Sequence, residues 1–116
     1  PFVHISTTIK ETLLIISEKG LGITGVLNDD KKLVGIITDG DIRRGVENNY
    51  NNFFEQPAKL IMSKDPKTVK SNTLALSALE VMEKYSITSL FVFSNPSSDT
   101  PDGIIHIHDI LKSGIR

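Results

Sequence analysis

Apolar positions fall into two alternating rhythms along this chain, and the order of those rhythms occurs twice. Ile9, Leu13 and Ile16 recur at helical spacing, and Leu14 and Ile15 widen the apolar face. Thr8 and Glu11 stand at the start of this run with the spacing of a capping box, in which each side chain satisfies a free amide of the first turn. Gly20 or Gly22 closes the helix. Two β-like runs follow, Ile23 to Leu27 and Leu33 to Ile37, separated by the polar turn Asn28 to Lys32. Thr38-Asp39-Gly40-Asp41 then starts a second helix, with Asp39 expected as its N-cap.

The second half repeats this order. Asn72 or Thr73 is expected to cap a helix with Leu74, Ala78, Val81, Met82 and Tyr85 on one face, and the Met82 and Tyr85 stripe reads as core. Ser89 to Phe93 and Gly103 to Ile107 are strand-like, separated by the longer loop Asn95 to Asp102. His108-Asp109-Ile110-Leu111-Lys112 begins the last helix, and Gly114 lies near its end. Gly35 aligns with Gly103 and Asp41 with Asp109, so Gly-Ile-Ile-x-x-x-Asp is written twice. A short extended piece precedes each unit, Phe2 to Ile5 and Lys67 to Lys70. The pattern predicts an α/β (α+β) fold of two β-α-β-β-α repeats, one over residues 1–57 including a connector and one over 58–116. Half the chain is too short to bury both helices and a sheet. The repeats are therefore expected to pack with pseudo-two-fold symmetry, leaving a cleft between their sheets. The connector, Glu47 to Pro57, carries Phe53 and Phe54 and is expected to pack between the halves, and Ala58 to Met62 enters the second repeat.

Composition narrows the function. With a formal charge of −1 and no basic run denser than Arg43-Arg44, the chain lacks the patch that nucleic-acid binding requires. Its longest apolar run, Leu13 to Ile16, is far too short to span a membrane. Cysteine is absent, which removes disulfides, thiolate metal sites and a cysteine nucleophile and fits a cytoplasmic protein. No serine or lysine has an obvious partner base, and no Gly-x-x-x-x-Gly-Lys loop occurs, so the chain itself is not expected to be an enzyme. It opens on Pro1 and not Met, and is expected to be part of a larger protein.

The β-α-β-β-α repeat ending in Gly-x-x-Thr-x-x-Asp resembles a cystathionine-β-synthase (CBS) repeat. Three segments, Gly20 to Thr24, Gly35 to Arg44 and His106 to Ile115, are similar to the C-terminal region of bacterial D-arabinose-5-phosphate isomerases of the KpsF/GutQ type. The His-x-His-Asp segment is the most specific of these. The resemblance covers essentially the whole chain. It implies a parent with a catalytic N-terminal sugar isomerase (SIS) domain that interconverts ribulose 5-phosphate and arabinose 5-phosphate for Kdo and lipopolysaccharide synthesis. It also implies a regulatory ligand, either an adenine nucleotide or the pathway's activated product CMP-Kdo, with no cofactor required. A ligand-free dimerisation module, or a CBS pair from another parent, are the alternatives.

The candidate site residues gather at the strand-to-helix junctions. Thr38 can donate a hydroxyl to a phosphate at a helix start, and Asp41 can accept two hydrogen bonds from a ribose diol. From spacing alone, Asp39 and Asp41 read more readily as ordinary helix-start acids than as ligand contacts. The resemblance favours Asp41 as a ligand contact. In the second repeat His106 replaces Thr38 and His108 replaces Gly40, while Asp109 keeps the carboxylate, so the two sites are chemically unequal. Arg43 and Arg44 suit bidentate anion binding, or form a solvated helix face. Thr24 and Thr88 lie near the start of matching strands, where the resemblance implies that ligands of CBS pairs contact the backbone and small hydroxyls. His106 and His108 share a strand end, but only Asp109 or distant His4 could complete the three or four ligands that zinc requires, and no metal is expected. A homo-oligomer is expected, with contact through Ile42, Val46, Ile110 and Leu111.

Overall fold

A computed structural model describes residues 2–48, 50–95 and 97–112. The expected Gly114 near the end of the last helix, with the neighbouring Ser113 and Ile115, lies outside the described residues. The chain forms two compact units, residues 1–66 and 67–116.

In the first unit, strand β1 (Phe2–His4) leads into helix α1 (Ile9–Lys19), and then come β2 (Ile23–Leu27), β3 (Leu33–Thr38) and helix α2 (Asp39–Glu47). β1 lies parallel to β2, the pairing that needs a crossover, and α1 supplies it. β2 and β3 form an antiparallel hairpin. Local chemistry sets the ends of α1. Thr8 Oγ1 accepts the Glu11 amide at 3.2 Å, and Gly20, at φ 69°, donates its N–H back to the Ile16 carbonyl. Val3, Ile9, Ile16, Val26, Ile37 and Ile42 make the core.

The connector folds onto this same unit. Phe53 is buried in the first core, packed against Gly45 of α2, whereas Phe54 is 40% exposed. The Ala58 and Lys59 amides donate to the Thr7 and Ile5 carbonyls at 2.7 and 3.0 Å. A two-residue strand, β4 (Ser63–Lys64), extends the sheet by pairing with Gly35 and Ile36 of β3. The segment 58–66, read in the sequence as the way into the second repeat, is thus bonded to the first unit.

The second unit repeats the plan with β5 (Thr68–Lys70), α3 (Ala75–Tyr85), β6 (Ser89–Phe93), β7 (Gly103–His106) and α4 (Ile107–Lys112). β5 is parallel to β6, and β7 antiparallel to it. Ala78, Leu79, Met82, Leu90 and Ile110 form its core. Among the described residues no helix is long and apolar enough to cross a membrane.

Several expectations need correction. α2 is capped by Thr38 and not Asp39. α3 is capped by Leu74, without a side-chain bond, because the Thr73 hydroxyl accepts the Lys70 amide instead. Met82 is core, but Tyr85 is 44% and Leu74 is 74% exposed. The Tyr85 ring lies 4.5 Å from the Lys67 ammonium, on the surface. Ile42 and Ile110 are core residues, which removes them from any oligomer contact and leaves exposed Val46 and Leu111.

Candidate ligand-binding site

The register of the two sheets fixes which residues correspond. Gly25 pairs with Phe2 and Phe91 with Thr68, so β2 and β6 match with Gly25 opposite Phe91 in the alignment. Thr24 therefore matches Leu90, and Thr88 matches Gly22. The two threonines are not equivalents. Thr24 is fully buried, its hydroxyl turned to the Gly25 carbonyl, while Thr88 is exposed just ahead of β6. The real correspondence lies in the backbone. The Asp39 amide donates to the Gly22 carbonyl at 3.1 Å, and the Ile107 amide donates to the Thr88 carbonyl at 2.8 Å. These bonds hold each helix start against the residue that opens the central strand.

At the first junction the sequence pair Thr38 and Asp41 comes together as a reciprocal capping box. Thr38 Oγ1 accepts the Asp41 amide at 3.1 Å, and Asp41 Oδ2 accepts the Thr38 amide at 2.9 Å. The other oxygen, Oδ1, accepts from Arg44 Nη2 at 2.5 Å. Asp41 is largely buried, with its side chain 14% exposed against 64% for Arg44. Arg43 closes in from the same side. A Cβ on Gly40 would stand 3.3 Å from a guanidinium nitrogen of Arg44 and 3.5 Å from one of Arg43. Two guanidiniums and the amide end of a nine-residue helix thus share one surface.

The second junction keeps half of this arrangement. Asp109 Oδ2 accepts the His106 amide at 3.0 Å, as Asp41 does for Thr38. His106 stands where the hydroxyl stood, and its Nδ1 accepts the His108 amide at 3.1 Å. That bond places the neutral ring's proton on Nε2, leaving a donor that points away from the backbone. The His106 and His108 rings meet edge to face at 4.6 Å. Lys112 takes the position of Arg44, and among the described residues it makes no ion pair with Asp109. Asp109 is exposed, and its second oxygen has no partner among the described residues. The first carboxylate is spent within the protein, and the second is open on one side.

His4 is remote from both junctions. It bonds Asp29 through Nε2 at 2.6 Å and receives the Ser6 amide at Nδ1. Among the described residues no three His, Cys, Asp or Glu side chains are grouped as a metal would need.

The CBS domain model matches residues 1–48 and 58–115, nearly the whole chain, and in each half the match includes the capped junction. The chain belongs to the CBS domain family. As a CBS pair, it is 38% identical over 117 residues to arabinose 5-phosphate isomerase KdsD of Francisella tularensis, covering 100% of this chain and 34% of the relative. To KdsD of Pseudomonas aeruginosa it is 36% identical over 115 residues, covering 99% and 34%. It therefore spans about a third of the length of these curated relatives. Among solved structures, a CBS domain protein from Pyrobaculum aerophilum complexed with AMP matches with a TM-score of 0.83. That match covers 97% of this chain and 88% of the other at 22% identity, and it shows the fold.

The sequence points to Thr88 and to backbone contact at the strand starts, but not to the Gly22 and Thr88 carbonyls as the groups that seat the helix starts. The signal was present in the repeat: Gly22 and Thr88 each stand just before a matching strand. Residue type does not mark them, because they act through the backbone.

Proposed function

We propose that this CBS pair is the regulatory, non-catalytic part of an arabinose 5-phosphate isomerase, acting in the cytoplasm beside an SIS catalytic domain, and that it binds a nucleotide-like ligand. The likeness of the whole chain to about a third of each of two KdsD isomerases supports the parent, and the AMP-bound fold relative supports the ligand class. The observation that carries the binding reading is the open Asp109 oxygen beside the His106 donor. A carboxylate with one free oxygen accepts from a sugar hydroxyl, and an imidazole N–H donates to a base or an anionic oxygen. At the first junction the geometry favours an anion, because Arg43, Arg44 and the start of α2 converge there while Asp41 is already neutralised. Asp41 thus serves as the holder of Arg44 more than as a direct ribose contact. Thr24 is sealed in the sheet and takes no part, whereas exposed Thr88 stays within the site.

Calorimetry with AMP and with CMP-Kdo tests this on the wild-type chain and on Asp41→Asn and Asp109→Asn. A lost hydrogen bond to a charged group costs about 1.5–3 kcal/mol, so Asp109→Asn weakens binding roughly ten- to a hundredfold. Asp41→Asn changes it less. CMP-Kdo, as the end product of the pathway in which the parent would act, is expected to bind more tightly than AMP. Unchanged affinity in Asp109→Asn for every ligand that binds would remove the second junction from the site. The pair is also proposed to self-associate, through Val46 and Leu111 on α2 and α4, which light scattering reads directly.

A further inference from the structure

The second unit carries a groove at the end of its sheet that the junction does not use. It is about 620 Å³ in volume and runs between β5, the first half of α3, the end of β6 and the loop that follows. Val69, Val81 and Phe93 form its apolar walls, and Lys70, Ser77 and Asn95 stand among them. β6 separates it from the ligand junction. Ser89, which pairs with His106, is at one end of the strand, and Phe93 is at the other, about 13 Å away.

The first unit has the same groove, built from corresponding residues of different chemistry. His4 stands for Lys70, Glu11 for Ser77, Ile15 for Val81, Leu27 for Phe93 and Asp29 for Asn95. There the volume falls to about 420 Å³, Glu11 and Asp29 stand in the lining together with Lys31, and the 2.6 Å bond from His4 to Asp29 links two of its walls. In the second unit that link is missing among the described residues, because neither Lys70 nor Asn95 makes a bond to the other. Lys70 is the one charged residue in the lining, is exposed, and makes no ion pair among the described residues.

We propose that this groove binds a small organic anion with an apolar body, the anionic group on the Lys70 ammonium and the body against Val69, Val81 and Phe93. A volume of this size fits a small-molecule site, and a mainly apolar wall with a few polar groups is the composition such sites have. The Ser77 hydroxyl and Asn95 amide supply hydrogen bonds that orient the polar end. A lone cation among apolar walls selects an anion, whereas in the first groove Glu11 and Asp29 outnumber Lys31 and leave no positive excess.

The probe is 1-naphthyl phosphate, with 1-naphthol as its neutral counterpart, titrated into the 116-residue chain and followed by backbone amide NMR. The expected result is saturable shifts at Lys70, Ser77, Val81 and Phe93, with the phosphate binding at least tenfold more tightly than the naphthol. Lys70→Gln is expected to remove most of that preference. Ser77→Glu, which installs the first groove's residue, is expected to abolish phosphate binding. Both positions are exposed, and an amide spectrum otherwise unchanged shows that the fold is retained. Equal affinity for phosphate and naphthol would reduce the groove to an apolar patch and overturn the proposal. So would shifts confined to Arg43 and Arg44, or a Lys70→Gln variant that binds the phosphate as the parent does.

Discussion

Alanine placed at the two matching glycines of the repeated motif should act with opposite sign. A Cβ on Gly35 would lie 2.7 Å from the Met62 sulfur and 2.9 Å from the Ser63 carbonyl oxygen. The methionine can swing aside, because its thioether chain is flexible. The carbonyl cannot, since it belongs to β4, which is paired with this stretch of β3. Ordinary contact begins near 3.4 Å, so β4 must retreat by about half an ångström or detach. Overpacking of this kind costs about 1–3 kcal/mol. At Gly103 the nearest atom to a new Cβ is Val92 Cβ at 3.8 Å, and among the described residues no strand pairs with the outer edge of β7. Alanine there makes only ordinary van der Waals contact and restricts the unfolded chain, which stabilises by about 0.4–1 kcal/mol. The two variants should therefore differ by about 1.5–4 kcal/mol in urea unfolding followed by circular dichroism. Amide exchange should locate the loss in residues 58–66 for Gly35→Ala. If Gly35→Ala unfolds with the parent, or Gly103→Ala falls below it by more than 1 kcal/mol, the packing argument for β4 is wrong.

Three further outcomes are expected. Gly45→Ala drives a methyl into the Phe53 ring and should cost about 1–3 kcal/mol, with Phe53→Leu recovering part of the loss in a double-mutant cycle read by thermal unfolding. Thr38→Ala removes the α2 cap and should cost about 0.5–2 kcal/mol, whereas Arg44→Ala, which removes the exposed guanidinium partner of Asp41, should cost under about 1 kcal/mol; each loss is read in the same denaturation assay, and the double variant should depart from their sum because both residues bond Asp41. The chain alone should show no turnover of arabinose 5-phosphate in a coupled assay, and turnover above a heat-treated control would overturn the non-catalytic reading.

Most of the fold was legible because its signals are local. Thr8 and Gly20 bracket α1 by chemistry that acts within four residues, and the alternation in β3 matches its buried and half-buried positions. Misreadings arose where two neighbours could do one job. Thr38 and Asp39 are both good caps, and the choice falls on Thr38 because it is still paired with Ile23 as the last residue of β3. Thr73 looked like a cap, but Thr7 shows the role of that position: each hydroxyl accepts the amide three residues earlier. Tyr85 fell on the apolar face by periodicity, yet its repeat counterpart is Lys19, the exposed last residue of α1. At the site, the pairs Thr38 with Asp41 and His106 with Asp109 were readable from spacing, since a capping box is a sequence-local object. The selection of Arg44 over Arg43 as the partner of Asp41 depends on side-chain geometry. β4 is two polar residues long and carries no pattern, and the groove of the second unit draws on four separate segments that no spacing rule joins.

The strap formed by residues 58–66 makes the seam of similarity a poor place to cut. A fragment stopped at Pro57 would take Ala58 out of a core it fully occupies and would leave β3 with an unpaired edge, a template for aggregation. Its complement, begun at Ala58, would trail nine residues whose bonding partners had been left behind. Duplicated halves of this protein are therefore not interchangeable cassettes. Chimaeras, permutations or split reporters that treat them as such should be joined between Pro66 and Lys67, where one compact unit ends and the next begins.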